Sequence, residues 1–359
     1  MEIWFGDGSV KQLAKAVQQI GGTRGILMTS RSFSDYAEQI RRDAANHIQV
    51  VYCDIRPNPE LRFTDDCAAQ IREHGLDFVV ALGGGSVLDS AKAAAAIARE
   101  GKSIRHYFGT KHPLPANGLP VIAIPTTAGT GSEVTSVSVL SDGDRKLPLG
   151  APSLSAKLAI VDPELTLSLP PYLTACTGMD ALCHAIEGYS SIHHQPICDT
   201  LAIRAAKLIF ENLETAVQDG SNREARRALA EASVLAGLSF ALPKTTGPHA
   251  CSYPLTAQYG IPHGEACGLT IDWFLRINRE IPRIQALADA LGFADVSKLA
   301  NHIGALRQTI GLRSTLADQN LSAEQIHKLA QDSVHPNLAN NPAPVTVPML
   351  EDMYRNLAQ

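Results

Sequence analysis

The sequence predicts an α/β domain with a parallel sheet over residues 1–162, followed by an all-helical domain over residues 163–359. Three observations carry this. A chain of 359 residues is longer than one hydrophobic core usually serves. Its first half alternates short β-branched runs with helical patterns, the arrangement of a parallel sheet flanked by helices. After Asp162-Pro163 the texture changes to long stretches rich in Ala, Leu and Arg.

Taken in order, Gly25–Thr29, Ile48–Cys53, Asp77–Leu82, Val121–Ile124 and Leu158–Val161 read as strands. Each is apolar at consecutive positions rather than alternate ones, as expected of strands buried on both faces. In the second half Pro196–Val217 and Asn222–Leu242 read as helices. There is no internal repeat and no low-complexity tract.

Composition narrows the function classes. With 45% apolar and 19% charged residues and a formal net charge of −5, the chain reads as an ordinary globular protein. Basic residues are interleaved with acidic ones, so no nucleic-acid footprint is expected, and Arg41-Arg42 and Arg226-Arg227 read as solvated helix faces. No apolar run reaches the ~18 residues of a membrane span. The opening MEIWFGDGSV lacks a signal-peptide pattern, so a cytoplasmic location is expected. Seven cysteines without zinc-finger spacing suit reduced thiols, and Cys183 and Cys251 read as small buried hydrophobes.

Two loops point to a dinucleotide. The strand ending at Leu82 runs directly into Gly83-Gly84-Gly85-Ser86 and then into a strong helix former, Val87–Ile97. Glycines let backbone N–H groups approach a phosphate, and the helix start adds unpaired donors and a positive dipole end. The motif is shorter than GxGxxG, so a plain tight turn stays open as an alternative. The second loop, Pro125-Thr-Thr-Ala-Gly-Thr-Gly-Ser-Glu133, follows another strand and offers small donors for phosphate or ribose. In open α/β sheets ligands bind at such strand ends. After the second strand the chain reads Ser30-Arg31-Ser32, with no carboxylate for a ribose; Arg31 and the serines favour a 2′-phosphate, hence NADP(H) over NAD(H).

Four residues point to a divalent metal. Asp180 and His184 are spaced i, i+4 in a helical pattern and therefore share a face. His249 follows the break Pro243-Lys-Thr-Thr-Gly-Pro248, and His263 stands fourteen residues later in Ile261-Pro-His-Gly-Glu265. Three imidazoles and a carboxylate suit a borderline divalent ion such as iron(II) or zinc. An ion with an open coordination position would polarise a carbonyl oxygen or stabilise an alkoxide.

With these motifs the sequence resembles the iron-containing, group III, alcohol dehydrogenases, which share their fold with glycerol dehydrogenase and dehydroquinate synthase. The resemblance spans nearly the whole chain and rests on Gly83–Lys92, Pro125–Glu133 and the segment from Asp162-Pro163 through Pro170 to Asp180 and Glu187. It implies a Rossmann-like first domain, a helical second one, and a metal and nicotinamide in the cleft between them. It also implies that Asp180, His184, His249 and His263 are the four metal ligands. The expected cofactor-contacting set is Ser30, Arg31, Asn58, Gly84, Gly85, Ser86, Asp89, Thr126, Thr127, Thr130, Ser132 and Lys146. Many members carry a histidine four residues after the third ligand, where this chain has Tyr253. The catalytic candidates are therefore Tyr253 and His263, with Tyr253 open to a relay role or to simple packing.

Lys244, Thr245 and Thr246, just before the third ligand, form a candidate substrate anion site. The wording there resembles the phosphonoacetaldehyde reductase branch and implies reduction of phosphonoacetaldehyde to 2-hydroxyethylphosphonate. A helix start with Lys244 in solvent is the plain alternative. Rival readings are a general primary-alcohol or diol dehydrogenase and a dehydroquinate synthase-like lyase. The expected partners are a small aldehyde or alcohol and a second copy of the chain.

Overall fold

The computed structural model describes residues 1–44, 46–143 and 145–359, and the chain divides into two compact units. One comprises Met1–Thr127 and Ser132–Thr166, the other Ala128–Gly131 and Leu167–Gln359.

In the first unit the strands are β1 (Glu2–Phe5), β2 (Gly25–Met28), β3 (Ile48–Tyr52), β4 (Phe78–Gly83), β5 (Val121–Pro125), β6 (Val137–Asp142), β7 (Arg145–Gly150) and β8 (Leu158–Val161). The helices are α1 (Leu13–Gln19), α2 (Ser34–Asp43), α3 (Leu61–Glu73) and α4 (Gly85–Ile97). Among the described residues, six strands form a parallel sheet in the order β1-β8-β5-β4-β2-β3. Alternate residues of one strand enter opposite cores. Val79 and Ala81 pack with Ile26 and Met28, whereas Phe78, Val80 and Leu82 pack with Leu27 and Ile124. Two apolar faces explain why these strands read as continuous apolar runs.

The chain passes from β2 out to β3 and returns to place β4 on the other side of β2, so the strand order reverses between β2 and β4. Ligands of open α/β sheets bind beyond the carboxyl ends at this position. There Thr29 Oγ1 donates to Leu82 O at 2.7 Å, tying the two strand ends together.

The five expected strands are present, and three further ones were not legible. β1 is a four-residue segment that begins with Glu2 and depends on pairing with β8 for its conformation. β6 and β7 form a separate antiparallel ribbon. Pro148 lies within β7, where a residue without an N–H is tolerated because the ribbon has only two strands.

The second unit contains α5 (Pro171–Ser190), α6 (Pro196–Gln218), α7 (Arg223–Phe240), α8 (Gly247–Tyr259), α9 (His263–Ile277), α10 (Pro282–Ala290), α11 (Val296–Thr309), α12 (Ala323–Asp332) and α13 (Val347–Leu357). Helix α5 is its axis. Every residue from Gly178 to Ser190 is buried, because α6, α7 and α9 all pack against it. The expectation of a solvated Arg226-Arg227 face fails at Arg226, which is 2% exposed. Its guanidinium donates to Gly220 O, Thr174 Oγ1 and Leu169 O at 2.9, 2.7 and 3.0 Å, so three acceptors replace its hydration. Among the described residues no helix is long and apolar enough to cross a membrane.

Candidate metal centre and dinucleotide loops

Helix α5 presents Asp180 and His184 one turn apart, α8 presents His249 in its first turn, and α9 begins with His263. All four sequence-predicted side chains converge. Asp180 Oδ1 lies 3.8 Å from His184 Nδ1, 3.6 Å from His249 Nε2 and 3.7 Å from His263 Nε2.

Three of these atoms, Asp180 Oδ1, His184 Nδ1 and His249 Nε2, are buried with no hydrogen-bond partner among the described residues. Leaving such a group unpaired costs about 1–3 kcal/mol each, more for a charged one. Their separations are close to those of donors about 2.0–2.2 Å from a shared ion. The donor set therefore fits a divalent metal. Asp180, His184 and His249 are enclosed, while the His263 side chain is 32% exposed and marks the accessible side.

Neighbouring groups orient the ligand candidates. His249 Nδ1 meets Glu187 Oε1 at 2.5 Å, and Glu187 Oε2 accepts from Thr246 N at 2.6 Å and Thr246 Oγ1 at 3.1 Å. A carboxylate from α5 thus caps the positive end of α8 and holds the imidazole with Nε2 toward Asp180. His263 Nδ1 meets Ser252 Oγ at 3.1 Å. His184 bonds the Gly129 backbone and lies against the Phe240 ring, centroids 4.2 Å apart. Burial opposes ionisation of Asp180, but His184, His263 and His249 together outweigh it and hold the carboxyl well below its usual range. Burial lowers His184 to about 3, against the pull of Asp180, so it stays neutral and able to donate a lone pair.

Glu187 and Cys267 were missed as participants in sequence reasoning. Glu187 follows Asp180 by seven positions and so shares its helical face. Cys267 follows His263 by four, the same spacing that singled out His184. Nothing in the local sequence ties either to a partner on another helix.

Tyr253 lies beside the centre. Its ring is near parallel to that of His263 with centroids 6.2 Å apart, and it meets His335 edge-on at 4.9 Å. Burial pushes its hydroxyl up to about 12, so it is a neutral donor near pH 7. Lys244, Thr245 and Thr246 do not converge on one acceptor. Lys244 Nζ is exposed and donates to Ala241 O at 3.0 Å, Thr245 Oγ1 accepts from Asn337 Nδ2 at 2.8 Å, and Thr246 is committed to Glu187.

In the first unit the two predicted loops emerge side by side, because Gly83 pairs in register with Pro125. Thr126 N donates to Gly83 O at 3.1 Å, and Gly84 faces Thr127 so closely that a Cβ would lie 3.2 Å from its methyl. Helix α4 starts at Gly85, so the N–H groups of Gly85 and Ser86 have no intrahelical acceptor and are available to an anion. Behind the loop, fully buried Lys92 donates to Ser132 O at 2.9 Å and to Val137 O. Asp89 accepts from Ser132 Oγ at 2.5 Å and Val139 N at 2.8 Å, so it braces the loop. Thr130 lies in the short Ala128–Gly131 segment of the second unit. Lys146 Nζ donates to Asn58 Oδ1 at 2.5 Å. Ser30 pairs with Ser32, and Arg31 forms an ion pair with Asp54 at 2.6 Å. Asp54 follows the third strand, so reading only the end of the second gave no carboxylate.

The fold and the comparisons define an oxidoreductase. Residues 1–163 match the family model described as iron-containing alcohol dehydrogenase, and residues 174–358 match the model of its C-terminal part. The chain belongs to the iron-containing alcohol dehydrogenase family. The solved sulfoacetaldehyde reductase of Bifidobacterium kashiwanohense, in complex with NAD+, is 48% identical with a TM-score of 0.97, covering 100% of this chain and 97% of that one. Long-chain-alcohol dehydrogenase 1 of Geobacillus thermodenitrificans is 36% identical over 95% of this chain and 91% of its own. Sulfoacetaldehyde reductase of Bilophila wadsworthia is 35% identical over 74% of this chain and 70% of its own.

Proposed function

We propose that the protein reduces a small aldehyde bearing an acidic oxyanion group, with sulfoacetaldehyde as the substrate and 2-hydroxyethanesulfonate as the product. The observation that carries this is the 48% identity, over the full chain, to a protein described as a sulfoacetaldehyde reductase. In this reading residues 1–162 hold the dinucleotide and residues 163–359 the metal. Asp180, His184, His249 and His263 hold iron(II) or zinc, which when bound polarises the carbonyl. A nicotinamide held by the first unit would supply the hydride. Glu187 and Ser252 keep two imidazoles aimed, and the neutral Tyr253 hydroxyl is the proton donor or the first member of a chain to solvent.

The cofactor is proposed to be NAD(H). Arg31 is occupied by Asp54, so a 2′-phosphate would have to displace a carboxylate and would meet its charge. The NAD+ in the Bifidobacterium protein supports the same reading. Gly84, Gly85 and Ser86 with Thr126 and Thr127 are proposed to surround the phosphates, while Asp89 and Ser132 act by bracing that loop. Asn58 and Lys146 form a linked pair at its edge.

One observation favours an anion grip at Lys244, and with it phosphonoacetaldehyde as a second substrate. Lys244 has φ 69°, whereas the other described non-glycine residues with positive φ are all asparagines. Such a backbone costs a lysine about 1–2 kcal/mol, and strain of this kind persists where a side chain is needed. The test compares kcat/KM for sulfoacetaldehyde, phosphonoacetaldehyde and propanal, with NADH and NADPH, in the parent and in Lys244→Gly. The parent is expected to favour the anionic aldehydes at least about tenfold, equivalent to ~1.4 kcal/mol. Lys244→Gly is expected to lose that preference with an unchanged or higher Tm. Equal values for all three aldehydes in the parent would overturn the acidic-substrate reading, and a preference that survives Lys244→Gly would remove Lys244 from it.

A further inference from the structure

We infer that Cys267 is a fifth donor to the ion held by Asp180, His184, His249 and His263, binding it through the Sγ thiolate. The inference rests on the proposed reading that a divalent ion occupies that centre.

Helix α9 places His263 and Cys267 one turn apart on one face, as α5 does for Asp180 and His184. The Cys267 side chain is fully buried, so its thiol must find its partner inside the protein. That partner is the centre itself. Sγ lies 3.9 Å from His263 Nε2, the nitrogen that also faces Asp180 Oδ1 at 3.7 Å. One ligand atom each from Asp180, His249, His263 and Cys267 lies within 4.8 Å of all the others. The His249 nitrogen facing inward is Nε2, since Nδ1 is held by Glu187.

A second observation points to a ligand in their midst. Asp180 Oδ1, His184 Nδ1 and His249 Nε2 are buried without hydrogen-bond partners among the described residues, and one S–H cannot satisfy three such atoms. A divalent ion can. With metal–nitrogen bonds of about 2.0–2.1 Å and a metal–sulfur bond of about 2.3 Å, neighbouring donors of a five-coordinate ion, about 90–120° apart, bring nitrogen and sulfur to about 3.1–3.8 Å. The observed 3.9 Å lies just beyond that range. Cys251, by contrast, bonds Tyr354 and Ser333.

Coordination converts the thiol to a thiolate as the metal–sulfur bond forms, and the displaced proton leaves to solvent, with no change of oxidation state. A soft sulfur donor among nitrogen and oxygen ligands raises the preference for zinc or cobalt over manganese or magnesium. It also makes the centre answer to thiol chemistry that an oxygen and nitrogen site would ignore.

The test is optical and does not depend on turnover. The metal-free chain is titrated with cobalt(II), and bound cobalt is counted while the visible and near-ultraviolet spectrum is recorded. One cobalt per chain with a sulfur-to-cobalt charge-transfer band is expected in the parent. In Cys267→Ser and Cys267→Ala the band is expected to vanish while the visible cobalt bands remain and affinity falls at least about tenfold. One bound cobalt without a charge-transfer band in the parent would overturn the role of Cys267 alone. A parent that binds no cobalt would overturn both this inference and the four-ligand reading beneath it. The parent spectrum decides even if a variant folds poorly.

Discussion

The two oxygens of Glu187 serve different elements. One holds His249 Nδ1 and the other receives the first donors of α8. Replacing it by glutamine removes the charge from both, so Glu187→Gln is expected to weaken metal binding about 10–100-fold in competition with a chelator. Unchanged affinity would mean that the imidazole is oriented by packing alone. A second carboxylate, Glu133, is governed by its burial. Burial raises Glu133 to about 7, more than its backbone hydrogen bond and Lys92 lower it. A raised acid binds its proton more tightly in the folded chain than in the unfolded one. Its contribution is therefore fully present below the ordinary carboxylate range and is lost as pH rises from there through about 7. Urea midpoints at pH 5 and pH 8 are expected to fall in the parent by more than in Glu133→Gln, which mimics the protonated form. Equal falls would place the pH dependence in other groups.

At the scale of elements, the centre depends on how closely α9 approaches α5. A Cβ on Gly264 would lie 2.0 Å from Cys176 O and 2.9 Å from Asp180 Cβ, so only glycine allows this crossing. Glu265, one residue on, secures the same helix start by accepting from Tyr172 Oη at 2.7 Å and Arg313 N at 2.8 Å. Gly264→Ala is expected to cost at least about 1–3 kcal/mol of stability and to move His263 away from Asp180, lowering metal affinity. Gly304 in α11 is the control, since among the described residues no atom outside its own stretch of helix lies within 4 Å of a Cβ built there. Gly304→Ala is expected to gain up to about 1 kcal/mol through helix propensity, with metal affinity unchanged. Thermal melts and metal titrations of the two variants check both outcomes, and similar behaviour of the two would exclude the close crossing as the cause.

For the whole molecule, the division into two compact units predicts separable ligand responses. A ligand stabilises the folded state by RT ln(1 + [L]/Kd). Asp180→Asn is expected to abolish the rise in Tm produced by zinc or iron(II) and to keep most of the rise produced by NADH. Loss of both in scanning calorimetry would show that the units do not respond separately. Much of this organisation was legible in advance, and the reasons are local. Runs such as Asp77–Leu82 show a strand, the glycines after Leu82 show a turn, and Asp180 with His184 share a face because a helix repeats every 3.6 residues. Strands β1, β6 and β7 were not legible, since their partners lie elsewhere in the chain. Nor was the burial of Arg226, whose acceptors include Thr174 and Leu169. The sequence by itself determined the fold class, the two loops and the shared face of Asp180 and His184, because each follows from periodicity and backbone chemistry within about one helical turn or one strand, whereas His249 and His263 were joined to that pair by the family resemblance. Only the tertiary structure decided that Glu187 caps α8, that Asp54 pairs with Arg31 and that the Cys267 thiol lies within 4.8 Å of Asp180, His249 and His263. Those contacts join residues on different elements, and their geometry is set by backbone packing that no local pattern records.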